Sequence, residues 1–224
     1  MSSHREEILA RVREALQAPT DPHVRRPNAV EGPPRDWLPP GGQDHEERVA
    51  LFAEWSEKLK TTFMSVGSES DAATEVARLA EQESWSRVAW HDDPLVRAAI
   101  EPLAVEKLAT DQGYDPSELE ACDAGVTACD ALVAQTGSVL LTTRSAGGRA
   151  LSVFPPHHVV VARRAQLIPD LPAAYELLRE RYAPNWPSFM TFITGPSRTG
   201  DIERILVLGA HGPKKLTVLL VDGA

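Results

Sequence analysis

Apolar residues recur at helical spacing near the start of the chain, where Ile8, Leu9, Val12 and Leu16 form one stripe over residues 3–17. Ser3 followed by Glu6 is the pattern in which two side chains satisfy the free N–H groups of a helix start. A second helix is predicted from Asp44, with Glu47 three residues on and Val49, Phe52, Leu59 and Phe63 facing the core. A short strand follows near Val66, then a helix over 70–82 with Val76 and Leu79 inward, then the strand Arg87-Val88-Ala89-Trp90. Short helices are expected around 94–100 and 116–121.

The second half is patterned differently. Short β-rich runs alternate with Gly and Pro punctuation. Ala131–Ala134 and Ser138–Thr143 flank Gln135-Thr136-Gly137 as a hairpin, and strands at Leu151–Phe154 and Val159–Ala162 flank Pro155-Pro156. A helix is predicted over 170–182, with Leu171, Ala174 and Leu178 facing in, and strands at Phe189–Thr194, Ile205–Leu208 and Leu216–Val221. The last run is almost continuously apolar, as a strand covered on both faces must be. The sum is a three-layer α/β domain over residues 46–224. Residues 18–45 hold seven of the 18 prolines, which removes donors and fixes φ, so 1–45 is read as a helix on a proline-rich arm. That arm is suited to packing on a neighbour, and a homo-oligomer built through it is one arrangement.

Charge sharpens this division. The 224 residues carry a formal charge of -9, with 23 Lys+Arg against 32 Asp+Glu. Residues 1–121 hold 24 acids and 13 bases, whereas 122–224 hold 8 and 10. The total argues against a nucleic-acid partner bound by phosphate neutralisation, and no helix-turn-helix pattern stands out. It leaves room for an anionic ligand in the near-neutral half. No apolar run reaches bilayer length and no secretory h-region opens the chain, so a cytoplasmic protein without a membrane span is expected. Cys122 and Cys129 are too few to ligate an iron–sulfur cluster alone and lack the companions of a zinc site. No metal and no cofactor bound by this chain alone are expected.

Four polar, turn-rich segments lie next to strand ends, where open α/β sheets bind ligands. The first runs from Gly125-Val126-Thr127 through Asp130 to Gln135-Thr136-Gly137, and reads either as ligand contacts or as turn chemistry. The second is Leu151–His158. On extended backbone its two histidines point to opposite faces, so they cannot share a metal without a kink; one of the two reads as a proton carrier or donor, or as a structural histidine bonded to backbone, and His157 is the ligand-contact candidate. The third, Gly195-Pro196-Ser197-Arg198-Thr199, precedes a helical turn and reads as an anion cradle, or as a loop pinned by Arg198 on Asp201 or Glu203. The fourth, Gly209-Ala210-His211-Gly212, allows close backbone approach and offers His211 as a proton carrier, or is a tight turn. Asp130 is the other candidate for proton chemistry. An enzyme acting on a small anion requires Thr127, Asp130, Gln135, Arg198 and His211 in one cleft. His4, His23, His45 and His91 lie on surface-like segments, and the five tryptophans read as core or cover.

The motifs GVTACD, AQTGSVLLTT, LSVFPPHHVVV, ITGPSRTGDIE and LVLGAHGPKKLTVLLVD, in this order, resemble the LUD (lactate-utilisation) domain family and its lactate utilization protein C group over residues 45–222. The resemblance implies a fold like that of the glucosamine-6-phosphate deaminase, ribose-5-phosphate isomerase and CoA-transferase superfamily. It also implies a part in oxidising L-lactate to pyruvate beside iron–sulfur partner proteins, in an accessory or non-catalytic capacity. The alternative is a stand-alone enzyme on an organic acid, acyl-CoA or sugar phosphate. Family members usually carry Glu-Thr-Gly where this chain has Gln135-Thr136-Gly137, and Gly is common at Ala128. Related CoA transferases use a glutamate nucleophile near a comparable strand end. An amide does not readily form an acyl intermediate, although it can orient a ligand by hydrogen bonds.

Overall fold

The structure, a computed structural model, describes residues 4–17, 39–200, 206–209 and 211–223. Ser3, His23, Trp37, Asp201, Glu203, Ala210 and the arm between 18 and 38, on which parts of the sequence reading fall, lie outside them. Two compact units divide between residues 38 and 39. The first contributes helix α1 (His4–Gln17), which buries none of its residues; Ile8, Val12 and Leu16 are exposed.

In the second unit, side-chain caps start the helices where the sequence placed them. Asp44 accepts from Glu47 N–H to open α2 (His45–Leu59), and Ser68 accepts from Asp71 N–H to open α3 (Glu69–Gln82). Asp93, Asp115 and Asp170 do the same for α4 (Pro94–Ile100), α5 (Pro116–Glu120) and α6 (Leu171–Tyr182), each with proline in the first turn, where no N–H is needed.

The main sheet is wholly parallel. It contains β1 (Thr62–Val66), β2 (Arg87–Trp90), β3 (Glu106–Ala109), β4 (Ala124–Thr127), β7 (His157–Arg163) and β12 (Lys215–Val221) in the order β1-β12-β7-β4-β2-β3. A second, four-stranded sheet is formed by β5 (Ala131–Val133), β6 (Ser138–Thr142), β8 (Leu167–Ile168) and β9 (Met190–Ile193), with β5 and β6 the expected hairpin. A third pairing joins β10 (Arg198–Gly200) to β11 (Leu206–Leu208).

Alternation along the central strands decides what each face touches. Val159 and Val161 of β7 and Leu219 and Val221 of β12 pack under α3 and α4. Val160, Ala162, Val218 and Leu220 face the other way, onto Phe52 of α2 and Leu132, Val139 and Leu141 of the second sheet. The second sheet is backed in turn by Ala174, Leu178 and Tyr182 of α6. The α/β class expected from the sequence is the one observed, and a solved relative described below shares it.

Four local expectations differ from the structure. Leu151–Phe154 is a turn, with the N–H groups of Val153 and Phe154 both returning to the Ala150 carbonyl. Both edges of β4 and of β7 are already paired, so the segment crosses the sheet face, and the Leu151 carbonyl lies where a Cβ on Gly125 would stand. Arg198–Gly200, expected just ahead of a helical turn, is a strand paired with β11. His91 is buried, not on the surface, because the chain turns inward directly after β2; the Ala128 N–H donates to its Nε2 (3.1 Å). Trp186 is exposed, while Trp85 is core. The edge strand β3 carries no strand pattern in its sequence, because Glu106 and Lys107 are charged and exposed.

Asp130 ties α6 to the second sheet. Its carboxylate is buried and accepts from Arg181 (2.8 Å), Tyr182 Oη (2.5 Å) and Ser145 Oγ (2.6 Å). Asp130→Ala is therefore expected to cost about 3 kcal/mol. Arg181→Ala removes the countercharge of a fully buried carboxylate and should cost about 3 kcal/mol as well, although the arginine itself is half exposed. Urea unfolding of the two variants checks both losses.

Candidate functional site

The two histidines that open β7 separate as the strand period requires. His157 faces α3. Its Nδ1–H donates to Glu83 (3.0 Å), its Nε2 accepts from the Thr217 hydroxyl (2.8 Å), and its ring meets Trp85 edge-on. The connectivity is that of a hydroxyl–imidazole–carboxylate relay, but His157 and Thr217 are only 3% and 1% exposed, so the hydroxyl and imidazole form a buried strut, while the part-exposed Glu83 also pairs with Lys215 (2.8 Å).

His158 faces the opposite way, towards a cavity of about 140 Å³ between the starts of β7 and β12 and two loops. The first loop, following β9, contributes Gly195 and Ser197. The second, ahead of β12, contributes His211 and Gly212. Backbone bonds hold the loops together: Ser197 N–H donates to the Pro213 carbonyl, and Gly209 N–H to the Ser197 carbonyl, each at 2.9 Å. Gly195, at φ 90°, takes a left-handed conformation beside the Leu59 carbonyl of α2, which a side chain would strain.

The polar balance of His158 is unusual. The ring is 1% exposed; its Nε2 lies 2.9 Å from Thr127 Oγ1, and its Nδ1 has no partner. Burial, with a smaller contribution from neighbouring His157, pushes its pKa down to about 3, so the ring is neutral near pH 7. Two tautomers are then open to it. If Nε2–H donates to Thr127, the threonine proton and Nδ1 are both left unmatched. If the Thr127 hydroxyl donates to Nε2, only one group is unmatched, an Nδ1–H donor. Each buried unmatched group costs about 1–3 kcal/mol, so the second tautomer is favoured.

Gly195, Ser197, His211 and Gly212 are thus brought together, with Thr127 reaching them through His158. The other sequence candidates are elsewhere. His157 is on the far face. Arg198 is exposed on β10, where Thr199 also lies. Asp130 lines a separate, wider cavity of about 510 Å³ with Arg144, Arg163 and Arg181. Gln135-Thr136-Gly137 forms the β5–β6 turn: the Gln135 amide donates to the Pro39 carbonyl (2.5 Å), and Gly137, at φ 62°, packs against Trp55 of α2. Thr136 Oγ1 is hydrogen-bonded to Ser138 Oγ (2.8 Å), which continues to Thr194 (2.7 Å). Thr127, Asp130, Gln135, Arg198 and His211 therefore do not share one cleft. The sequence offers either histidine of Leu151–His158 as a proton carrier and puts His157 forward as the ligand contact, whereas the structure puts His158 and Ser152 at the cavity, with Ile193, which carries no chemical signal. The alternation rule announced opposite faces, but not which face opens onto a cavity.

Among the described residues His45, Glu46 and Asp222 bring ligand-type atoms within 4.8 Å of one another. Arg164 already bonds Asp222 (2.5 Å) and pairs with Glu46 (3.6 Å), so a guanidinium supplies the positive charge there.

Two outcomes follow from this geometry. His158, His157 and His91 all have pKa values lowered chiefly by burial, so between the ordinary histidine value of 6.5 and the lowered values the unfolded chain binds more protons. Stability should therefore fall as pH drops below about 6.5, by up to about 1.4 kcal/mol per pH unit from His158 alone. Denaturant midpoints from pH 7.5 to 5 check this, and His158→Phe should flatten the slope. Gln135→Glu would set a carboxylate against the Pro39 carbonyl and should lower stability by about 2 kcal/mol at pH 7, read by thermal unfolding.

Comparison with known proteins agrees with this architecture. The LUD domain model matches residues 49–221. Lactate utilization protein C of Shouchella clausii is 28% identical over 229 residues, covering 99% of each chain. Lactate utilization protein C 1 of Bacillus mycoides is 26% identical over 233 residues, covering 98% of this chain and 97% of the relative. The crystal structure of a DUF162 family protein from Deinococcus radiodurans superposes with a TM-score of 0.65 at 20% identity, over 80% of this chain and 99% of that one, a likeness of fold. With a family match through both sheets and end-to-end relatives of one kind, the chain belongs to the LUD domain family, in the lactate utilization protein C group.

Proposed function

We propose that this protein serves lactate utilisation as an accessory component, beside iron–sulfur proteins that carry the electrons released when L-lactate becomes pyruvate. The observation that carries the reading is the end-to-end match to proteins named for lactate utilization, with almost no part of either chain left over.

The thiols support a division of labour. Removing two electrons from a hydroxy acid calls for an electron carrier. Both cysteines are buried, and burial pushes Cys122 up to about 11 and Cys129 higher still, so neither is a thiolate at neutral pH. Two protonated thiols fall short of the four ligands of a cluster. The position of Gln135 supports an accessory role: its amide is spent on the Pro39 carbonyl. The alternative of an enzyme with five polar groups in one cleft is not favoured, because those groups are dispersed.

Disruption of the gene in its own host should abolish growth on L-lactate as sole carbon source and leave growth on pyruvate intact. A tagged copy from lactate-grown cells should co-purify with cysteine-rich iron–sulfur proteins. Normal growth of the disrupted strain on L-lactate would overturn the reading, and recovery of the tagged chain alone would remove the partner.

A further inference from the structure

The parallel sheet reverses its winding at one place. From β2 the chain moves outward to β3, then returns past β2 to β4 and continues the other way to β7 and β12. Strands β2 and β4 are neighbours whose onward connections diverge. In open parallel sheets the crevice outside the carboxyl ends of such a pair is where ligands bind. The wide cavity of about 510 Å³ lies there. Asp93 and Pro94 line it from just beyond β2, Ala128 and Asp130 from just beyond β4, and Arg163 from the last position of β7. The smaller cavity near His158 is at the starts of strands, the opposite end of the sheet.

Three guanidinium groups line the wide cavity from three elements: Arg144 from the turn after β6, Arg163 from β7 and Arg181 from the last turn of α6. They differ in what holds them. Arg181 pairs with the buried Asp130 (2.8 Å). Arg163 meets Glu69 (2.5 Å) in a pair exposed at both ends, which competes only weakly with water. Arg144 is held by two neutral groups. Its Nη2–H donates to the Asn185 carbonyl (2.9 Å), and its guanidinium lies over the Tyr182 ring, 5.3 Å from the centroid. Its charge is fixed in place, and among the described residues no carboxylate pairs with it. Both aspartates of the lining already have donors. Asp130 accepts from Arg181, Tyr182 and Ser145, and Asp93 Oδ1 accepts from the N–H groups of Leu95 and Val96. With both oxygens taken, Asp130 is not available as a base, so the cavity is equipped to bind an anion rather than to transform it.

The number of forks decides the class of anion. A guanidinium carries its N–H donors in a planar fork, and Arg144 and Arg163 each use one of them here. A single fork satisfies the two oxygens of a carboxylate. Three forks on one cavity match a phosphoryl group, which offers three outer oxygens and close to two negative charges near neutral pH.

We propose that this cavity binds a phosphoryl group, as free phosphate or as a monoester of a small molecule, on the guanidinium groups of Arg144, Arg163 and Arg181, with Asp130 keeping Arg181 in position. The volume leaves room beside a phosphate for an organic part, and the lining includes Pro94 and Leu95 to receive one. Such a site goes beyond the lactate-utilisation reading and does not depend on it.

The test uses the full chain in chloride buffer of fixed ionic strength, with thermal unfolding and calorimetric titration against sodium phosphate, glycerol 3-phosphate and sodium acetate. Either phosphate compound at 100 times its Kd should raise Tm by about 5 °C or more, and acetate should have no effect. Tighter binding of glycerol 3-phosphate identifies an ester site, and equal or weaker binding identifies the free ion as the ligand. Arg144→Met, at an exposed position, should leave the unliganded Tm almost unchanged and weaken binding about tenfold. Arg144→Lys keeps the charge and loses the fork, so its affinity should fall between the two. Arg163→Met should weaken binding about fivefold. Glu69→Gln, which releases Arg163 from its acid, should tighten binding about threefold, a gain that a purely structural arginine would not show. Arg149→Met removes an exposed positive charge outside the lining and should leave the affinity unchanged. No response to either phosphate compound, an equal response to acetate, undiminished binding by Arg144→Met and Arg163→Met, or an equal loss in Arg149→Met overturns the assignment.

Discussion

Burial of β7 and β12 on both faces is the condition from which the other arrangements follow. A strand covered on both sides sends successive side chains into two separate dry compartments, and neither offers water as a partner. Valines and leucines meet that condition without cost, which is why Val159–Ala162 and Val218–Val221 read as unbroken apolar runs. The polar residues in the same strands need partners fixed in place. His157 and Thr217 find each other and Glu83 under α3, whose C-terminal end is positioned by the packing of Val76 and Leu79.

Most polar groups in the interior are matched in this way. Asp130 is held by three donors, His91 by a backbone N–H, and Gln166 by the Cys129 carbonyl. His158 is the exception at the centre of the parallel sheet. It is matched at one nitrogen and unmatched at the other, and its unmatched side belongs to a ring that borders a cavity. A neutral, rigidly held imidazole of this kind is a poor base and a good fixed dipole. The loops that close the cavity are tied to one another by main-chain bonds, so its shape owes little to side-chain rotamers.

Much of this was legible in the sequence, for reasons that differ by element. The helices were, because aspartate, serine and proline mark their starts and apolar spacing marks their length. The hairpin Ala131–Thr142 and the last strand were, because turn residues bound them. Opposite orientation of His157 and His158 followed from the strand period alone. What the sequence could not supply was pairing. Leu151–Phe154 has the composition of a strand but no free edge to join, and β3 has an edge but not the composition. Residues 130 and 135 have side chains suited to site chemistry, yet Asp130 is neutralised by Arg181, and the Gln135 amide donates to a carbonyl 96 residues earlier in the chain. Long-range partners of that kind leave no local trace, and the same is true of the cavity, whose walls come from four separate stretches.

The strand order β1-β12-β7 also has a consequence in time. The last strand to be made lies between two that are made earlier. At about 5–20 residues per second, β1 leaves the ribosome roughly 10–30 s before residues 215–221 exist to pair with it. Through that interval α2, α3 and β1 carry apolar faces with no sheet beneath them, and the β7 edge that will receive β12 stands open. The nascent chain is thus most exposed to mispairing late in its synthesis, and one seven-residue segment ends that exposure by occupying both edges at once.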